Sequence, residues 1–143
     1  MPDSVPRKLL LLVEDNSDEE ALAVRALEKC GVPVRLRVAR DGAEALAMLS
    51  APDAELPDLV FLDIKLPKID GIEVLRRLRA DARMHSVPIV ILTSSLEDHD
   101  LAEGYRRGAN SYIRKPLDYD RFSEVIKVAA RYWLLLNQLP RPG

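Results

Sequence analysis

Short apolar runs alternate with longer stretches of mixed polarity along the whole chain. Leu9 to Val13, Leu59 to Leu62 and Ile89 to Leu92 are continuous apolar segments. Runs of this length, bounded by turn signals, predict strands buried on both faces. Val34-Arg35-Leu36-Arg37-Val38 alternates with period two, which predicts an edge strand with one wet face. Ser111 to Arg114 predicts a short fifth strand. Between the strands, apolar residues recur at helical spacing. A first helix carries Leu22, Val24 and Leu27 and stops near Gly31, and a second runs to about Leu49. A third spans Gly71 to about Asp81 with Ile72, Leu75 and Leu78 on one face, a fourth ends near Arg107, and a last covers about Asp118 to Leu136. Ser17-Asp18-Glu19-Glu20 and Asp41-Gly42-Ala43-Glu44 read as capping boxes, and Ser95 as a cap for the fourth helix. Pro140 and Pro142 forbid further helix.

Strand and helix alternating five times predict an α/β protein: a doubly wound five-stranded parallel sheet, right-handed crossovers, helices on both faces. Residues 8–137 are expected to form one domain that includes the extended last helix. Residues 1–7 and 138–143 are expected to be flexible ends.

Composition narrows the function classes. With 48% apolar and 31% charged residues the chain fits a soluble globular protein. A net charge of −2 and a pI of about 5.7 leave no electrostatic footprint for nucleic acid. Arg76, Arg77, Arg79 and Arg83 form a local basic patch that reads as a solvated helix face. Cys30 is the one cysteine, so no internal disulfide forms, a reducing compartment fits, and the thiol reads as a packing residue. The run Leu9–Val13 is too short for a signal peptide, and nothing approaches the ~20 apolar residues of a membrane span. A cytoplasmic location is expected.

The candidate chemistry lies at the strand ends. Glu14-Asp15 follow the first strand, Asp63 the third, Thr93 the fourth and Lys115 the fifth. Open α/β sheets bind ligands in the crevice at the carboxyl ends of their strands. Acids gathered there repel and resist ionisation, so they imply a cation. Glu14, Asp15 and Asp63 carry −3, Lys115 brings the site to −2, and a divalent ion neutralises it. Carboxylates, waters and a phosphoryl oxygen suit Mg²⁺. His85 and His99 are isolated and too few for zinc. An Asp nucleophile beside Mg²⁺, a Lys and a Thr hydroxyl points to phosphoryl transfer.

Taken in order and spacing, Glu14-Asp15, Asp63 followed by Pro67 and Gly71, Thr93-Ser94 and Lys115-Pro116 resemble the receiver domain of two-component response regulators, from about residue 8 to residue 136. The resemblance implies a flavodoxin-like sheet in the order 2-1-3-4-5, and a signalling switch rather than a conventional enzyme. It implies that Asp63 accepts a phosphoryl group from a sensor histidine kinase and that Lys115 pairs with that group. Mg²⁺ would be held by the Asp15 and Asp63 side chains, by the Lys65 backbone carbonyl, and by Glu14 through water. Thr93 and Tyr112 match the family's switch pair, the Lys115–Pro116 peptide would be cis, and Lys65 stands where the family tunes phosphate lifetime. Pro67 and Gly71 would shape the loop after Asp63.

A narrower likeness rests on Gly108 to Ile113, Lys115-Pro116 and the tail Tyr132-Trp133-Leu134…Leu139-Pro140. It is similar to small receivers with no output domain that work beside bacterial phytochrome kinases. Trp133-Leu134-Leu135-Leu136 places apolar side chains all around the helix, so part of them must stay exposed. With Tyr132 they are expected to form a homodimer or kinase-docking surface, twofold closure being the commonest outcome.

Three rivals compete. A haloacid-dehalogenase-type phosphatase wants a second acid where Lys65 stands. A flavin or nucleotide carrier would place phosphate in the loop after the first strand, which is acidic here, and there is no Gly-x-Gly-x-x-Gly. A non-phosphorylated scaffold receiver would have no need of the intact site positions.

Overall fold

The computed structural model describes residues 7–140. Of the flexible ends expected at residues 1–7 and 138–143, residues 1–6 and 141–143 lie outside the described residues. Five strands, β1 (Lys8–Val13), β2 (Val34–Ala39), β3 (Leu59–Leu62), β4 (Ile89–Thr93) and β5 (Ser111–Arg114), form one parallel sheet in the order β2-β1-β3-β4-β5. Five helices alternate with them: α1 (Ser17–Glu28), α2 (Gly42–Ser50), α3 (Gly71–Ala80), α4 (Asp98–Arg106) and α5 (Tyr119–Arg131).

The apolar runs are strands because a central parallel strand is covered on both faces. β3 and β4 are buried at every position and β1 at all but Lys8, whereas β2 alternates as an edge strand should. Successive side chains then serve opposite halves of the core. Leu10, Leu12, Phe61 and Leu92 pack beneath α1 and α5 with Phe122 and Ile126. Leu11, Val13, Leu62 and Ile91 pack on the other side with Val74 and Leu75 of α3. Helix α4 is the thinly held element: only Gly104 is buried, set against Ile91 and the Tyr112 ring, and its N-cap Glu97 makes no side-chain cap bond.

Local chemistry departs from expectation in four places. The cap of α1 is Asn16, not Ser17; its side chain accepts from the N–H groups of Asp18 and Glu19 at 3.0 Å. Asn16 has the extended backbone a cap requires, and Ser17 is already helical. Ser95 does not cap α4, which begins three residues later. Arg79 is not a solvated member of the basic patch. Its guanidinium is half-buried and donates to the carbonyls of Gly108, Met84 and Val87 and to Asn110 Oδ1, at 2.5–2.9 Å. Burial lowers its pKa. The last helix is α-helical only to Arg131 and closes in a π-helical turn, Tyr132–Leu136, where the Asn137 N–H reaches the Tyr132 carbonyl. Gln138 to Pro140 then extend without regular structure, and Leu139 lines a cavity with Pro57, Asp58 and Val87.

Candidate phosphoryl-acceptor and metal site

The backbone ladder continues one residue past the strands and fixes the side chains that follow them. The Glu14 N–H bonds to Ala39 O at 3.0 Å, Asp63 N–H to Val13 O at 3.1 Å, and Lys115 N–H to Thr93 O at 2.7 Å. These tips surround the point between β1 and β3 where the strand order reverses, the switch point of such sheets. They open into a cleft of about 510 Å³ that also takes in Asp15, Lys65 and Ser94. An apolar groove of similar volume lies elsewhere, on α5, and has no titratable cluster.

Lys115 organises the cleft. Its ammonium stands 2.7 Å from Glu14 Oε1, 2.8 Å from Glu19 Oε2 and 2.8 Å from Asp63 Oδ2, so its three N–H donors have three carboxylate acceptors. Burial works to lower the Lys115 pKa, but the Asp63 charge and hydrogen bonds to all three acids raise it well above its ordinary value. For Glu14 desolvation wins: burial, with the nearby Asp63 charge, outweighs the Lys115 hydrogen bond and charge and lifts its pKa from 4.5 to about 7. Asp63 is held at both oxygens, Oδ2 by Lys115 and Oδ1 by the Lys65 N–H at 3.1 Å.

Gly71 makes this arrangement possible. A Cβ there would lie 2.2 Å from Asp63 O and 2.5 Å from Ile64 Cα, and the Gly71 N–H bonds to Ile64 O at 3.1 Å. The loop between them, with Pro67 exposed and Lys68 at φ 67°, thus folds back against the residue that carries the carboxylate.

The sequence-predicted residues converge unevenly. Glu14, Asp63 and Lys115 meet, Thr93 is wholly buried at the tip of β4, and Asp15 is exposed on the rim. Glu19 was missed. Carboxylate oxygens of Glu14, Glu19 and Asp63 lie within 4.8 Å of one another. An acid in a first helical turn ordinarily signals no more than the helix dipole. The signal that would have found Glu19 is that α1 starts directly at the end of β1 and so leans its first turn over the strand tips. An all-oxygen, acidic donor set fits a hard divalent cation; Lys115 now balances part of its charge.

One expectation fails. The Lys115–Pro116 peptide is trans, and no cis bond occurs among the described residues. A prolyl amide prefers trans by about 0.5–1 kcal/mol, and Lys115 reaches all three acids without the cis form. Tyr112, the other half of the expected switch pair, is partly buried. Its hydroxyl is without a hydrogen-bond partner, beside Ser95 and Asp100 but at bonding geometry with neither. Desolvation raises its pKa.

A doubly wound 2-1-3-4-5 sheet with acids and a lysine at its carboxyl edge defines a receiver, and the chain belongs to the response regulator receiver domain family, whose model matches residues 10–127. It is thus a receiver of two-component signalling, not an enzyme apart from chemistry on its own phosphoacceptor. Among relatives, it is similar to the probable methanogenesis regulatory protein FilR2 of Methanothrix harundinacea, with 39% identity over 94% of this chain and 89% of that protein. Among solved structures it is similar to the phosphorylated cyanobacterial phytochrome response regulator RcpA (TM-score 0.90, 34% identity, 95% of this chain and all of that one). It is also similar to the Mn²⁺-bound form of response regulator Rcp1, at TM-score 0.87 and 30% identity over 94% of this chain and 99% of that one. No helix among the described residues is long and apolar enough to cross a membrane.

Proposed function

We propose that Asp63 accepts a phosphoryl group from a sensor histidine kinase, of the bacterial phytochrome type, in the cytoplasm. The observation that carries this reading is the Asp63 carboxylate, 2.8 Å from Lys115 in a cleft shared with Glu14 and Glu19. Mg²⁺ is the cation that suits the set, held by Asp63 and Asp15, by Glu14 through water and by the Lys65 carbonyl, with Glu19 added from the geometry. When bound it supplies positive charge beside the phosphoryl oxygens. Lys115 supplies a second cation on the Asp63 side. In transfer, the phosphorus bonds to an Asp63 oxygen as its bond to the kinase histidine nitrogen breaks, and the electron pair leaves with that nitrogen. Thr93 and Tyr112 are the residues that would respond to the new charge.

Incubation with acetyl phosphate and Mg²⁺, followed by intact-mass measurement, tests the reading. Wild type gains one phosphoryl group and Asp63→Asn gains none; equal labelling of the two removes Asp63 from its role.

Partner contact is assigned to the last helix. Tyr132, Leu135 and Leu136 are exposed while Leu134 is buried and Trp133 packs partly on the core, the division expected of an apolar helix end. Beside them runs an apolar groove of about 500 Å³ lined by Ile113, Val125, Val128 and Trp133. A second copy of the chain is the proposed occupant. Sedimentation of wild type against Leu135→Ala with Leu136→Ala distinguishes the cases: a wild-type dimer weakened by the double variant supports it, and monomers throughout refute it.

A further inference from the structure

Lys65 sends its backbone N–H to Asp63 but its ammonium to α4. Lys65 Nζ pairs with Asp100 Oδ2 at 3.3 Å, in the first turn of that helix. The same oxygen accepts from Ser95 Oγ at 2.5 Å, and the Ser95 N–H donates to Thr93 Oγ1 at 3.3 Å. The Ser95 hydrogen bond, helped by Lys65, lowers the Asp100 pKa against a smaller effect of burial. Asp100 therefore joins the first turn of α4 to two strand tips at once, through Lys65 to the Asp63 loop and through Ser95 to Thr93. The other anchors of that turn are weaker: Arg114 pairs with the exposed Asp98 at 3.6 Å and donates to Leu96 O at 3.3 Å, while Gly104 is the one buried residue of α4 and the Glu97 side chain makes no cap bond.

We propose that Asp100 is a positioning residue that holds the Lys65 ammonium against α4 while Asp63 is free, and that phosphorylation of Asp63 draws Lys65 away from it. This rests on the reading of Asp63 as the phosphoacceptor. The Lys65 side chain is 57% exposed, so its pairing with Asp100 is weak and easily exchanged. A phosphoryl group adds negative charge and strong acceptor oxygens on the Asp63 side of the same lysine. One ion pair thus sets two properties: how long Lys65 attends the phosphoryl group, and how firmly the first turn of α4 is held.

Decay of the acyl phosphate forms a bond from a water oxygen to phosphorus and breaks the bond from phosphorus to the Asp63 oxygen. The carboxylate leaves with the electron pair, and the water proton goes to the departing phosphate. Lys65 on a phosphoryl oxygen stands in the way of the incoming water, and Asp100, by competing for Lys65, shortens the lifetime.

The test is the decay of acetyl-phosphate-labelled protein, followed by intact mass, for wild type, Lys65→Ala, Asp100→Asn and the double variant. Asp100→Asn should lengthen the half-life about two- to threefold, the scale of a weak, largely exposed ion pair. Lys65→Ala should shorten it, and adding Asp100→Asn to Lys65→Ala should change nothing further. Asp100→Ala serves as a second removal of the carboxylate and should act in the same direction. An unchanged or shorter half-life in both Asp100 variants overturns the proposal, as does an equal change with and without Lys65. Unlabelled wild type would instead remove the phosphoacceptor reading, and this proposal with it.

Discussion

Lys115 Nζ lies 2.8 Å from Asp63 Oδ2, a buried contact across 52 residues of sequence. The lysine is the counter-charge that lets three acids share one end of the sheet.

Replacing it by methionine leaves Glu14, Glu19 and Asp63 facing one another without a cation. Removing one partner of a buried ionic network costs roughly 3–5 kcal/mol. Urea denaturation of Lys115→Met should show a loss of that order at neutral pH, with part of it recovered on adding Mg²⁺. A loss under about 1 kcal/mol would mean that the acids are already relieved by solvent.

Glu14 gives the site a pH dependence of definite sign. Its folded pKa of about 7 lies above the ordinary 4.5, so below 4.5 it is protonated both folded and unfolded. Between the two values the unfolded chain sheds its proton first, and the Glu14 contribution to stability falls as pH rises, its loss complete above about 7. A divalent cation binds the deprotonated form, so its stabilising effect should grow across the same window. Thermal melts with and without Mg²⁺ at about pH 5.5 and about pH 8 read this, with Glu14→Gln flattening the trend. Equal metal shifts at both pH values in wild type would contradict it.

Gly71→Ala places a methyl group against backbone atoms that cannot step aside. Overpacking of this kind costs roughly 1–3 kcal/mol. The distinctive readout is phosphorylation: because the clash is with the carbonyl of Asp63 itself, acetyl phosphate labelling should slow along with the stability loss. Destabilisation with wild-type labelling would show that the loop relaxes away from the site.

Arg79→Lys should cost about 2 kcal/mol, since one ammonium cannot serve Gly108, Met84, Val87 and Asn110 together and buried acceptors are left unpaired. Arg77→Lys, an exposed partner of Glu73 on the same helix, should be neutral within about 0.5 kcal/mol. Equal effects in chemical denaturation would mean that Arg79 is no anchor.

The contrast between these two arginines shows where sequence reasoning reaches its end. The apolar runs of β1, β3 and β4 and the polar residues at their tips were legible because burial on both faces leaves no other pattern. The same held for the alternation in β2. Arg79 was not legible: its role depends on carbonyls near residues 84, 87 and 108, which only the folded chain brings to it. Glu19 was hidden by a local explanation that was sufficient in itself, an acid at a helix start. Tyr132 to Leu136 carry no polar position to mark a period, so the change from α to π winding left no trace. The trans Lys115–Pro116 peptide corrects an expectation that came from resemblance alone and had no local chemistry behind it.

β5, at one edge of the sheet, contributes to both halves of the core. Tyr112 packs on the side of α3 and α4, and Ile113 on the side of α1 and α5, where it also lines the apolar groove. A single peptide plane therefore separates Tyr112, whose hydroxyl lies beside Ser95 and Asp100, from Ile113, which lines the groove. A tilt of that plane would push one side chain outward as it drew the other in, like the two ends of a balance beam, so coupling carried by this strand would cross the sheet through its thickness rather than along its length.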